Sequence, residues 1–322
     1  MKRFVCALII AALIFSFGCS YQKPDAMRIA VVKGCVYSYV LAPLMGREYS
    51  QQYAFTLCDS ADEAYSLLIS GDVDSALLPA EYAGDSGNAV AAAAVTLRNL
   101  EFVQKAKTMS DVNSLNGAEL LIPYSVWESA EYSMLTRLID AAGVSVTLTP
   151  IDDADVISAL LDGSVSIAAL SGSLRADALA ADDTLVKSFS LQSQWTRFFD
   201  LPVAESCIFI EKGYLDTHTA ACDAFLRDCE SSCAFIGTKH SKAAMIVCSY
   251  GLCGGLSEAK RAIRSCTFAF LTPDGFAVSE SGAQSACSSP TLRAISRRFA
   301  EYFKIMQNLL FPFTFAVSPF II

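Results

Sequence analysis

Four short stretches of the 322-residue chain concentrate groups suited to gripping a small molecule: residues 33–39, 79–82, 124–128 and 171–175. They hold Tyr37, Tyr39, Pro79, Glu81, Tyr82, Tyr124, Ser125, Trp127, Glu128, Ser171 and Ser173. Aromatic faces stack on a planar ring, while tyrosine hydroxyls and free helix-start amides add directional hydrogen bonds. Glu81 and Glu128 can accept from an amino or amidine-like group. As a set these residues suggest a flat heteroaromatic ligand over a small oxyanion. Taken singly, each aromatic is as readily a wall-packing residue or a hinge cover. Lys33 follows a strand end, where it reaches either a ligand carboxylate or solvent; Asp74 reads as solvated or capping. The chemistry expected here is binding, not catalysis. Only two histidines occur, His218 at a helix start and His240 in a polar loop, and neither falls at a predicted strand end. No Ser-His-Asp or Cys-His arrangement emerges, and no CxxC pair supports a zinc site. No catalytic residue, metal or cofactor is expected.

These stretches owe their positions to a unit used twice. MRIAVV at 27–32 reads as a buried strand, and helical spacing then runs from Tyr37 to about Glu48. A second strand, YAFTLC, precedes Ser60 and Glu63, which have the spacing of a capping box. Residues 66–79 read SLLISGDVDSALLP, and 158–171 read SALLDGSVSIAALS; six of the fourteen aligned positions are identical. Each copy is a helix closed by glycine and followed by a short strand. The flanking strands recur in the same order, so βαβαβ is expected in each half, with right-handed crossovers and parallel sheets. Ligands of such sheets bind beyond the C-terminal strand ends, where the four stretches fall. Two equivalent α/β lobes make a clamshell. The strand at 89–96 is the expected first crossing between lobes, 201–210 the return, and 291–308 a late amphipathic helix.

Composition narrows the setting. A net charge of -9 argues against nucleic acid as partner. Lys2 and Arg3 precede an apolar run at 4–17, and Gly18-Cys19-Ser20 follows, the pattern of a lipoprotein signal. Residues 1–18 are the expected signal peptide, Cys19 the acylated (palmitate-bearing) anchor, 19–26 a tether, and the cell envelope outside the cytoplasmic membrane the location. Of the other cysteines, Cys222, Cys229 and Cys233 fall with Leu226 on one helical stripe and read as core packing. Cys248, Cys253, Cys266 and Cys287 leave one or two bridges open. The apolar 309–322 tail is too short to span a bilayer.

Three segments give the chain a resemblance to the type II periplasmic solute-binding proteins of ABC importers, nearest the branch handling nitrate, taurine, alkanesulfonates and thiamine-pyrimidine precursors. Residues 67–79 resemble that family's LxxGxxDxxxLP element. Residues 115–138, with IPYSVWESAEYSML, resemble its passage into the second lobe, and 202–236 its return strand, turn and long helix. The resemblance implies a two-lobed clamshell with a doubly wound sheet in each lobe and a hinge of two crossing segments. Lobe I is expected at 27–97 plus 205–308, and lobe II at 98–204. It implies a monomer that captures a small solute and hands it to a permease and ATPase. A tethered sensor on the same fold, or an enzyme of pyrimidine or menaquinone biosynthesis, are the alternatives. The chain departs from the branch in having Ser171-Gly172-Ser173 where Glu-Pro is frequent. The Gly/Cys-rich signature of the pyrimidine-forming enzymes is missing. A basic grip for a sulfonate is not evident, though Arg175 and Arg137 could contribute.

Overall fold

MRIAVV forms β1 (Met27–Val32), buried everywhere except at Arg28. After a three-residue turn, Val36–Met45 wind into a 3-10 helix containing Pro43. That helix is tighter and shorter than the spacing suggested, because proline has no N–H to donate. β2 (Tyr53–Cys58) pairs parallel to β1. Ser60 then caps α1 (Ala61–Ser70) by accepting from the Glu63 amide, and the Glu63 carboxylate reaches back to the Asp59 amide at 2.8 Å. Gly71 closes α1, and β3 (Ser75–Pro79) returns parallel to β1. Asp74 is neither solvated nor a simple cap: it is buried, accepts from the Arg28 amide at 2.8 Å and pairs with the Arg28 guanidinium at 2.5 Å. Lys33 pairs with Asp59 at the surface.

β4 (Ala89–Leu97) leads through Arg98 and Asn99 into β5 (Leu100–Lys105), the first strand of a second sheet. There the unit repeats as β6 (Glu119–Pro123), α2 (Ala130–Ala142), β7 (Thr147–Ile151), α3 (Val156–Asp162) and β8 (Ile167–Ser171). α4 (Gly172–Ala181), β9 (Leu185–Ser190) and α5 (Leu191–Phe199) complete it. The chain returns on β10 (Ala204–Glu211), then runs through α6 (Lys212–Thr217), α7 (Thr219–Thr238), α8 (His240–Ser249), α9 (Leu256–Ser265) and β11 (Thr267–Leu271). The sheet orders are β11-β4-β10-β3-β1-β2 and β7-β6-β8-β5-β9.

This computed structural model describes residues 26–277 apart from Ser86, Lys107 and Glu128. Cys19, Cys287, the signal segment, the 291–308 helix, the 309–322 tail and Glu128 thus lie outside the described residues.

Neither sheet is wholly parallel as expected. β10 runs antiparallel to β3 and β4, and β5 antiparallel to β8 and β9. The reason is directional. The βαβ strands point their C-terminal ends at the other lobe, whereas β5 and β10 start at the hinge and lead away from it. A strand entering from the hinge must oppose its neighbours.

Cys222, Leu226, Cys229 and Cys233 are buried along α7, as their spacing indicates, and burial pushes the Cys229 thiol well up. Cys248 and Cys253 are free thiols whose sulfurs stand 2.7 Å apart across the α8–α9 turn.

The repeat extends to single torsions: Gly71 and Gly163 both sit at φ 78°, ψ 15°. A Cβ at either position would meet nothing within 4 Å, so only backbone strain opposes a side chain. Gly71→Ala and Gly163→Ala are each expected to destabilise the protein by about 1–2 kcal/mol in urea unfolding, the cost of a left-handed L-residue. A loss near zero would show that the helix ends relax.

Candidate functional site

The strand ends converge on a cavity of about 360 Å³ between the two sheets. Beyond β6, Ser125 and the α2 cap Ser129 contribute, and at the end of β8, Ser171 and the following Gly172. The opposite wall carries Glu205 on β10, with Glu258 and Ser265 on α9. Glu131, in the first turn of α2, and Asn99, between β4 and β5, close the back. The polar groups of the wall are mostly carboxylates and hydroxyls, set among Val36, Val126 and Ala262.

Two crossing segments form the hinge, and they are bonded together. The Arg98 amide donates to the Val203 carbonyl at 3.3 Å, and Thr96 and Ser206 share a buried hydroxyl contact of 2.6 Å. The Arg98 side chain, 8% exposed, lies between Glu81, just beyond β3, and Glu131, 3.3 Å away in the second unit. Burial opposes its charge, but Glu131 and Glu81 more than offset that, and the pKa is held above the ordinary arginine value. At Glu205 the environment favours the neutral form instead. Burial raises its pKa, Glu131 and Glu81 push it further, and Thr96 and Arg98 counteract only in part.

At the cavity's outer edge α4 meets α9. Arg175 donates to the Arg264 carbonyl at 3.3 Å, and Arg261 pairs with Asp177 at 3.6 Å. Arg175 is also held by Glu101 at 3.0 Å, and Lys187 meets the other Glu101 oxygen at 2.6 Å.

Of the residues singled out from the sequence, Ser125 and Ser171 stand in the cavity wall. Glu81 lies just behind it on Arg98. Tyr37 is 9% exposed, and its hydroxyl has no hydrogen-bond partner among the described residues. Burial first, then Cys35, Tyr82 and Glu205, raise its pKa. Tyr39, at 1% exposure, belongs to the core of the first sheet rather than to any cleft. Pro79 is the half-buried last residue of β3. Tyr82 bonds to Asp62 and packs against Tyr65 at 4.8 Å, and its pKa rises to about 12, mainly through Asp62. Tyr124 points into solvent, 57% exposed. Trp127 leans on Tyr132 at 4.7 Å beside the core of the second sheet. Ser173 falls in the first turn of α4.

None of the five aromatics lines the cavity, so the stacking platform expected from residue types is not assembled there. Arg137 lies over Trp195 and Phe199, at 5.7 and 5.1 Å from the ring centroids, and is likewise engaged elsewhere. Glu205, Arg98 and Glu131 were the residues missed. Their signal was faint: a single acid near the start of an apolar strand, and a single base after nine residues of another.

No model of a known protein family matches the chain, and no curated protein matches it in sequence. Solved structures do. An ABC transporter protein from Parabacteroides distasonis superposes with a TM-score of 0.53 at 15% identity, covering 88% of this chain and 94% of that one. The periplasmic aliphatic sulphonate-binding protein SsuA from Escherichia coli gives 0.51 at 15% identity, over 90% and 89%. At such identities the likeness establishes architecture. The chain has the two-lobed α/β fold of the periplasmic binding proteins.

Removing Arg98 would leave the largely buried Glu131 and Glu205 without a cation, with the more exposed Glu81 beside them. Arg98→Met is expected to cost about 3–5 kcal/mol at neutral pH, the penalty for stranding buried charge. The loss should shrink in mild acid, where the stranded carboxylates take up protons. A pH series of thermal melts checks this; a penalty independent of pH would assign Arg98 to packing alone.

Proposed function

We propose that the chain is an extracytoplasmic solute-binding lipoprotein that captures a small molecule between its lobes and delivers it to an ABC import permease. The observation that carries this reading is the cavity, lined by serines and glutamates among apolar side chains, at the strand ends of two sheets joined by a two-segment hinge. Such an arrangement closes around ligand by rotation of one lobe on the other. Residues 27–97 and 205–308 are assigned to the first lobe and 98–204 to the second. The protein acts as a monomer without cofactor or metal. The sulphonate binding of SsuA supports solute capture in general, not sulphonate as the solute here.

An enzymatic reading finds less support. His218 is stacked on Tyr214 at 4.3 Å and bonded to Thr217, while His240 meets the Gly237 carbonyl. Neither lines the cavity.

Among the described residues no helix is long and apolar enough to cross a membrane. Attachment is assigned to acylated Cys19, whose lipid chains suffice as an anchor. Cys19→Ser is expected to move the protein from the membrane fraction to the supernatant. Retention in the membrane would make the apolar run an uncleaved span.

Hinge closure is testable on the same lipid-free variant by small-angle X-ray scattering. The radius of gyration should fall when a mixture of amino acids, polyamines, sulfonates and nucleobases is added. An unchanged radius, with no binding detected by native mass spectrometry, would sink the importer reading.

A further inference from the structure

The charge arrangement around the cavity deepens the solute-binding reading, on which this inference rests. Three carboxylates, Glu131, Glu205 and Glu258, stand in its wall against one basic side chain, Arg261. The neighbouring bases are engaged by the protein itself. Arg261 pairs with Asp177, Arg175 lies between Glu101 and the Arg264 carbonyl, and Arg98 lies between Glu81 and Glu131. A tightly held oxyanion calls for a guanidinium or ammonium free to donate to it. The wall's one guanidinium, Arg261, is half exposed, stands 3.6 Å from Asp177 and is outnumbered by three carboxylates. What the wall offers in excess is carboxylate, Glu205 above all.

We propose that the solute carries a protonated nitrogen, an amine or amidinium, which lodges on Glu205 with Glu131 beside it, and that sulfonates and other strong oxyanions are excluded. The hydroxyls of Ser125, Ser171 and Ser265 and the Asn99 amide accommodate the uncharged remainder. An ionised carboxylate withdrawn from water is costly unless a cation meets it. Arg98 meets that need only in part, since Glu81 and Glu131 already share its charge.

The groups facing Glu205 are Thr96 on β4, Arg98 at the hinge, Glu81 beyond β3, Glu131 on α2, Tyr37 on the 3-10 helix and Cys266 after α9. With burial, they leave its pKa raised. The proton therefore stays on to higher pH than usual. A cation binds the ionised form, so its affinity rises with pH through that raised pKa; an anion would show the reverse.

The test is calorimetry on the lipid-free protein with putrescine, spermidine, agmatine, choline and arginine, set against butanesulfonate, sulfate and nitrate. At least one cation should bind saturably at neutral pH and more weakly in mild acid. Glu205→Gln should weaken it by at least about 30-fold, as expected when one partner of a buried charge pair is lost. That variant also reports its own folding. A raised carboxyl pKa favours the fold below the ordinary carboxylate range, and the benefit is lost as pH rises through the raised value. Glu205→Gln should therefore melt higher than the parent near neutral pH, with the gap closing in acid. Binding of butanesulfonate or sulfate would overturn the assignment while leaving solute capture intact. Cation binding indifferent to Glu205→Gln would overturn it, as would a silent panel. In the silent case the scattering measurement decides separately whether the importer reading stands.

Discussion

The Arg98 guanidinium sits at the crossing from one lobe to the other, 8% exposed, with Glu81 on one side and Glu131 on the other. Desolvating Arg98 and Glu131 is costly, and a buried pair recovers that cost only when its geometry and hydrogen bonds are good. Here the recovery depends on the lobes staying close, because Glu131 belongs to the α2 start of one and Glu81 to the β3 end of the other. The hinge is thus electrostatic as well as covalent. Opening the clamshell would separate Arg98 from one carboxylate and admit water to both, so open and closed forms differ less in energy than the contact suggests. Such near-balance is what a solute needs if its own binding is to decide between states.

The same crossing fixes the sheets. Because β5 and β10 begin at the hinge, each opposes the βαβ strands beside it, and each ends far from the cavity. Glu205 is near the cavity because it lies near the start of β10, with Ser206 in register with Pro79. Had β10 run parallel to β3, that carboxylate would have faced the distal edge of the lobe.

This explains which parts were legible in the sequence. The repeated helix, its closing glycine and the strand after it are local features, and Gly71 and Gly163 share one torsion pair because the same short-range chemistry acts twice. The cysteine stripe on α7 was readable for the same reason. Strand direction at the hinge is a long-range property, invisible to periodicity. The site was hardest. Tyr39 and Trp127 are residue types that grip rings, yet one fills the core of the first sheet and the other leans on Tyr132. Residue type cannot say which face of an element a side chain takes. Glu205 acquires meaning only when Arg98, Glu131 and Glu81, all distant in sequence, are brought around it.

Two acids near the sheet core illustrate what distinguishes a structural charge from a functional one. Asp74 is buried but fully answered by the chain: the Arg28 amide and guanidinium both donate to it. Glu205 is answered in part, by Thr96 and at a remove by Arg98, and two further carboxylates press on it. An evolving core could have relieved that pressure with a neutral residue of similar shape. A carboxylate under such pressure in a cavity wall is destabilising in the empty protein and becomes favourable once a cation arrives. On the proposed reading, the strain at Glu205 and the affinity for a cationic solute are the same free energy seen from two states. Closure of the hinge would withdraw the wall from water and so strengthen that attraction.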